Sequence, residues 1–328
     1  MSKRLVAVTD TVFPDLDPAR RALAGLDAEL RLAEKPTPEA ILEVARQADG
    51  VFVTYAKITG DIIAGLERCR VIGRFGVGTD NIDIEAATRA GIMVTYAPVY
   101  CLDEVSDHAL ALLLALARKI PYAHGLVNDG RWEMPAVVPI HRLKGRILGL
   151  VGLGNIAQKI VTKARAFGIE ANASDPYVPD EVFSELGVER VDFDQLLARS
   201  DFISVHVPLT DETKNMFGRE AFGKMKSGAL LINTARGPLV DVAALAEALE
   251  AGEIAGAALD VLPQEPPAAD CPVLGRVEVI LTPHTGFYSE EDLLDLQTTV
   301  AADVAAVLSG KPPRFPVNPE VRERKVGP

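Results

Sequence analysis

"ILGLVGLGNIAQKI", residues 147–160, is the stretch whose reading decides the fold. Ile147 to Val151 form an apolar run that reads as a buried strand, and the residues after Gly154 read as the start of a helix. Between them Gly152, Gly154 and Ala157 stand at G-x-G-x-x-A spacing, the pattern of a dinucleotide-binding turn. Gly152 permits the tight turn. Gly154 lets the backbone come close to a pyrophosphate, and Ala157 replaces a third glycine that serves helix–strand packing. The N–H groups of Asn155 and Ile156 at the helix start would hold the phosphates. Asp175 closes the next strand in "ASDPY", 21 residues after Gly154. A carboxylate there meets the adenine ribose hydroxyls and repels a 2′-phosphate. No Arg or Lys lies among the next dozen residues, so NAD is expected rather than NADP. A glycine pair alone could be only a tight strand–helix turn; the flanking strand, helix and acid carry the reading.

Working outward, short apolar runs alternate with helical patterns along the whole chain. "LVAV" (5–8), "GVFVT" (50–54), "VIGRF" (71–75) and "IMVTY" (92–96) read as one series of strands. "RILGLVG" (146–152), "DFISVHV" (201–207), "ALLINT" (229–234), "GAALDV" (256–261) and "VEVILT" (277–282) read as a second. Strands interleaved with helices predict parallel sheets, and two series predict two doubly wound α/β domains. A long helix is expected over 101–119, and another from the N-cap Ser289 to the C-cap Gly310.

The chain has 328 residues, 24% of them charged and 48% hydrophobic, a composition that suits a globular protein with a large core. Its net charge of −12 argues against a nucleic-acid or anionic-membrane surface. Arg322, Arg324 and Lys325 are the nearest thing to a basic cluster and read as a solvated end. Cys69, Cys101 and Cys271 are odd in number and lack metal-ligand spacing, so no metal is expected and a cytoplasmic location fits. The apolar stretch 109–117 is far too short to span a bilayer.

Three strand ends carry polar residues where the apolar runs stop. "ALLINTARGPLVD" places Arg236 in a turn before a helix that Asp241 can cap. "GAALDVLPQEPP" places Asp260 at a strand end and Glu265 in a proline-rich loop. "VILTPHTG" places His284 just past Pro283, which cannot continue a ladder. In a parallel sheet these ends share one edge, where ligands bind. Taken singly, Arg236 could be a surface residue, Glu265 solvated loop and His284 structural.

These motifs, with "GRFGVGTDNID" (73–83), "EVSDHALALLLALAR", "HVPLTDET" and "TPHTGFYSE", resemble the D-isomer-specific 2-hydroxyacid dehydrogenases over nearly the whole chain. Within that family the chain looks similar to the C-terminal-binding-protein-like and phosphoglycerate-dehydrogenase-like branch. The resemblance implies a Rossmann NAD-binding domain over 99–289 and a discontinuous, flavodoxin-like substrate domain over 1–98 and 290–328. It implies that Arg236 binds the substrate carboxylate, that His284 donates a proton to a 2-oxo group, and that Glu265 holds His284 and favours its protonated form. It implies cofactor contacts at Val207, Pro208, Thr234, Ala235, Asp260 and Gly286. It further implies substrate contacts at Tyr55, Lys57, Arg74, Val77 and Gly78, and a homodimer through 109–117 and 120–145. Val53 stands where phosphoglycerate dehydrogenases carry an arginine, and the chain ends at Pro328 without their regulatory domain. Both features favour a small, unphosphorylated 2-oxo acid. The expected function is therefore reduction of such an acid by NADH. An NAD(H)-gated, corepressor-like scaffold on the same fold is the alternative.

Overall fold

The computed structural model describes residues 3–321, so the basic tail cluster lies outside the described residues. The chain divides into two compact units, Met1–Tyr100 with Ser289–Pro328, and Cys101–Tyr288.

The first unit holds a five-stranded sheet of β1 (Arg4–Val8), β2 (Ala28–Leu32), β3 (Gly50–Val53), β4 (Val71–Arg74) and β5 (Met93–Thr95). Every pairing is parallel, in the order β2-β1-β3-β4-β5. The strand order reverses between β1 and β3, so the loops after these two strands flank the crevice where such sheets bind ligands. β2 has no apolar run: Glu29 and Arg31 alternate with apolar residues, as suits an edge strand half open to water. β1, β3 and β4 are buried on both faces and read as continuous apolar runs for that reason. The helix Glu290–Leu308 belongs to this unit and packs on β4. Its N-cap Ser289 accepts a hydrogen bond from the Asp292 N–H, and Gly310 follows with φ +78°.

The second unit holds a seven-stranded sheet. Its strands are β6 (Ile147–Val151), β7 (Glu170–Ser174), β8 (Glu189–Arg190), β9 (Phe202–Val205), β10 (Leu230–Asn233), β11 (Gly256–Leu259) and β12 (Val279–Leu281). The order is β12-β11-β10-β9-β6-β7-β8, and all pairings are parallel. Here the order reverses between β6 and β9, which sets the glycine turn after β6 at the switch point. Apolar cores cover both faces of the sheet.

One of those cores contains Ala109, Leu110, Leu112, Leu113 and Leu116 of the helix Leu102–Ala117. These leucines cover β10 and β11, while Ala111 stays exposed and Leu114, Ala115 and Ala117 are half-buried. The next segment behaves differently: Ile120, Val127, Trp132, Met134 and Val138 all stay exposed, Trp132 at 88%. Among the described residues no single helix is long and apolar enough to cross a membrane.

Candidate active site

The glycine turn has the geometry its spacing predicts. Gly152 sits at φ +92°, and a Cβ there would meet the His206 carbonyl oxygen at 2.9 Å, so only glycine fits against the loop after β9. Gly154 is the N-cap of the helix Asn155–Ala164, and a Cβ added to it would meet nothing within 4 Å. The amides of Asn155 and Ile156 open that helix, where no preceding carbonyl of the helix can take them. Ala157 is fully buried against the sheet. Thr234, just after β10, has a buried hydroxyl with no hydrogen-bond partner in the structure. An open backbone cradle at a helix N-terminus and an orphaned hydroxyl are what a dinucleotide would complete. The residues therefore fit NAD. Ala235 follows Thr234 after β10, and Val207 and Pro208 follow β9; both pairs stand at the carboxyl edge of the sheet, as the glycine turn does.

Asp175 is tied into the glycine turn itself. One carboxylate oxygen accepts the Leu153 N–H of the glycine turn at 2.9 Å, and the other accepts Tyr177 N–H and Val178 N–H. A basic residue does come close: the Arg190 guanidinium donates to the Asp175 carbonyl at 2.8 Å. It lies beyond the dozen residues that sequence reading could scan. Arg190 also pairs with Asp180 and lies over the Phe183 ring.

The three polar strand ends interlock. After β10, the Asn233 side chain accepts from the Ala235 N–H and donates to the Arg236 carbonyl, fixing an extended backbone at Arg236. The Arg236 guanidinium donates to the Ala235 carbonyl at 2.7 Å. Gly237 presses on the loop after β11: a Cβ there would lie 2.0 Å from the Leu262 carbonyl carbon. Asp260 N–H donates to the Asn233 carbonyl, and His284 N–H donates to the Asp260 carbonyl at 2.8 Å. Arg236, Glu265 and His284 are thereby carried on loops that bind one another.

Asp260 is the hub of this arrangement and is 2% exposed. Its carboxylate accepts the Thr282 hydroxyl at 2.6 Å, Thr285 N–H at 2.9 Å and Gly286 N–H at 2.8 Å, with His108 Nε2 3.3 Å away. Burial alone would raise its acid range. The bonds from His108, Thr282 and the two amides outweigh burial and hold it below the ordinary carboxylate value. These bonds surround His284 at φ +55°, a left-handed conformation uncommon for residues other than glycine. Gly286 is glycine for packing, since a Cβ would lie 2.8 Å from the Asp260 carboxylate.

His284 Nδ1 lies 2.8 Å from the Glu265 carboxylate, whose other oxygen accepts the Leu262 N–H at 3.0 Å. Partial burial raises the Glu265 carboxyl. The hydrogen bond and charge of His284, with the Leu262 amide, more than reverse this and hold it below the ordinary carboxylate range. Glu265 is thus an ionised acceptor at neutral pH. It takes the Nδ1–H, so Nε2 is the ring nitrogen that Glu265 does not engage. A cavity of about 400 Å³ borders the pair, walled by Leu262, Pro266, Pro267, Leu274 and Leu281. A carboxylate-held histidine can protonate a carbonyl oxygen, and a guanidinium on a neighbouring strand end can bind an anion.

Residues 110–286 match the family model described as "D-isomer specific 2-hydroxyacid dehydrogenase, NAD binding domain". The chain belongs to the D-isomer specific 2-hydroxyacid dehydrogenase family. It is 43% identical over 302 residues to a D-3-phosphoglycerate dehydrogenase of Methanocaldococcus jannaschii, covering 91% of this chain and 57% of that protein. The chain therefore spans little more than half the length of that relative. Among solved structures of this dehydrogenase fold, it is similar to D-lactate dehydrogenase from Aquifex aeolicus complexed with NAD and lactic acid. That match has a TM-score of 0.86 and 28% identity, over 94% of this chain and 96% of that one. It is also similar to a glyoxylate reductase from Paecilomyes thermophila, with a TM-score of 0.88 and 27% identity over 98% and 99% of the two chains.

Two residues of the site escaped sequence reading. His108 was one bare histidine among five, and its spacing gives no hint that it reaches Thr282 and Asp260, 174 residues away in the first case. Thr282 ends the strand reading two residues before His284, but a threonine there is unremarked without its carboxylate partner. His206 lies beside the glycine turn, its Nε2 2.8 Å from the Ser204 hydroxyl. Burial pushes its ring down to about 4, so it stays neutral and structural.

In the first unit, Tyr55 and Lys57 are exposed in the loop after β3, and Val77 and Gly78 are half-buried in the loop after β4. Arg74 ends β4 at 8% exposure and turns back over Gly76 to donate to the Phe75 carbonyl. Gly76 has φ +146°, and any Cβ there would overlap the Arg74 guanidinium. All five residues stand at the carboxyl edge of their sheet.

Proposed function

We propose that the chain is an NAD-dependent oxidoreductase that reduces a small 2-oxo acid to the D-2-hydroxy acid. The 2.8 Å bond between His284 and the ionised Glu265 carries this reading, because a scaffold needs no acid–base pair. NADH, when bound, supplies the hydride to the carbonyl carbon. His284 Nε2 gives its proton to the carbonyl oxygen, and Glu265 offsets the charge on the ring before transfer. Arg236 binds the substrate carboxylate through its guanidinium fork. Asp260 and Gly286 meet the nicotinamide end, and Thr234, Ala235, Val207 and Pro208 line the cofactor. Tyr55, Lys57, Arg74, Val77 and Gly78 bind the substrate's side chain and carboxylate.

The relatives named for phosphoglycerate raise the question of a phosphorylated substrate. Val53 supports the smaller one: it is fully buried in an apolar core, so this position offers no cation to a phosphate. The test is NADH oxidation with glyoxylate, pyruvate, hydroxypyruvate and 3-phosphohydroxypyruvate. Turnover of an unphosphorylated acid at about 10 per second, the ordinary enzyme scale, is expected. A higher kcat/KM for the phosphorylated acid overturns the substrate reading, and no turnover of any acid overturns catalysis. NADH is expected to exceed NADPH in kcat/KM. Asp175→Asn narrows that gap and also weakens NADH, because the same carboxylate holds the glycine turn through Leu153 N–H. Equal use of both cofactors by the unaltered protein rejects the assignment.

We propose further that two copies pair through the exposed apolar segment 120–138. Trp132 is the only tryptophan in the chain, so its fluorescence reports on this surface directly. Light scattering at micromolar concentration is expected to give a dimer mass, with Trp132 emission shielded from iodide. A monomer with fully quenchable emission contradicts the pairing.

A further inference from the structure

In the first unit, the crevice at the switch point between β1 and β3 is filled by a side chain of the protein itself. Asp10, two residues after β1, turns its carboxylate onto the loop after β3. One oxygen accepts Thr54 N–H at 3.0 Å; the other accepts Tyr55 N–H at 2.6 Å and Ala56 N–H at 3.2 Å. Three successive amides converging on an anion form the kind of backbone nest that elsewhere binds a phosphate or carboxylate ligand. Thr9 Oγ1 donates to the Asp10 carboxylate at 2.6 Å, and Thr54 Oγ1 donates to the Asp10 carbonyl at 3.3 Å. From the other side, the Asn81 side-chain amide donates to the carbonyls of Thr54 and Ala56, at 3.1 and 3.0 Å, and the Asn81 backbone carbonyl accepts Ile58 N–H at 2.8 Å. The backbone of residues 54–58 is therefore clamped on both sides, while the side chains of Tyr55 and Lys57 stay exposed.

We infer that Asp10 is a positioning residue for substrate selection: its carboxylate occupies the anion nest of the 54–56 loop and sets where Tyr55 and Lys57 stand. This rests on the proposed substrate role of that loop. Asp10 touches neither reactant, so its loss acts through loop geometry. A loop of this length has few conformations compatible with three amides on one carboxylate. Without the anion the three N–H groups turn to water and the loop samples others.

The same unit supplies a control. Asp49 lies at the opposite, amino-terminal edge of the sheet, where its carboxylate accepts Leu5 N–H at 2.9 Å and pairs with Arg68. Asp49→Asn weakens the fold there without touching residues 54–56. The experiment compares Asp10→Ala, Asp10→Asn and Asp49→Asn in the full chain by steady-state kinetics, thermal melting and amide hydrogen exchange. Asp10→Ala is expected to raise KM for the 2-oxo acid about fivefold, the scale of one lost hydrogen-bonded anchor. KM for NADH should stay unchanged, and exchange at Thr54, Tyr55 and Ala56 should quicken. Asp10→Asn, which keeps one accepting oxygen, should fall between Asp10→Ala and the unaltered chain. Asp49→Asn should lower Tm and leave KM alone. An active Asp10→Ala with unchanged KM for the acid, or equal KM increases in Asp10→Ala and Asp49→Asn, overturns the inference and leaves the proposed function standing. If the unaltered chain turns over no 2-oxo acid, the proposed function fails first and this inference with it.

Discussion

His284→Asn is expected to lower kcat/KM for 2-oxo acid reduction about 100-fold or more, the usual scale of a lost general acid. The asparagine amide can replace the Nδ1–H bond to Glu265, and it suits position 284 because Asn tolerates the left-handed conformation of φ +55°. The three backbone bonds from residues 284–286 to Asp260 do not involve the imidazole, so the fold of the turn should survive. The cofactor cradle at Gly152–Ile156 is built from other loops. The loss should thus fall on kcat with NADH affinity kept, as measured by fluorescence titration. A variant that retains more than a tenth of the activity would remove His284 from the chemistry.

Glu265→Gln is expected to lower kcat/KM for reduction at neutral pH about tenfold, the scale of one lost charge-assisted hydrogen bond. The carboxylate lies 2.8 Å from Nδ1; glutamine of nearly the same size keeps a hydrogen-bonding group there but no charge. The sign of the pH dependence follows from Glu265 itself. Its carboxyl is held below the ordinary carboxylate range, so it is ionised at neutral pH. Its favourable interaction is present above that range and is lost only as pH falls through the depressed value. An acid limb of activity that belongs to Glu265 should therefore lie below the ordinary carboxylate range and be absent from Glu265→Gln. A glutamine variant with unchanged kcat/KM would mean that the charge of Glu265 does nothing for the reaction.

The reach of the sequence differs from element to element. β6 and the glycine turn were legible because a fully buried parallel strand is an unbroken apolar run and the turn tolerates only glycine at 152. The same held for β10 and β11, whose ends deliver Arg236 and Asp260; β12, which leads to His284, is a half-buried edge strand that is apolar all the same. β2 was not legible, because an edge strand with Glu29 and Arg31 shows no such run. The helix at 109–117 was legible as apolar, but not which residues its own sheet covers: Ala109, Leu110, Leu112, Leu113 and Leu116 are buried in the core of the unit, and Ala111 is not. A sequence shows that a surface must be covered but not by what.

What the sequence determined by itself is the class of fold, the dinucleotide turn and the presence of Arg236, Asp260 and His284 at or just past three strand ends, since each depends on local spacing or residue chemistry. Only the tertiary structure decided how those ends are held. Asp260 collecting Thr282, Thr285, Gly286 and His108, Gly237 lying on Leu262, and Asp10 seated on three amides are contacts between residues remote in sequence. The polar ones exist because buried polar groups must find partners, and Gly237 fits on Leu262 because it lacks a Cβ; the chain can make either contact only once the strands are stacked side by side.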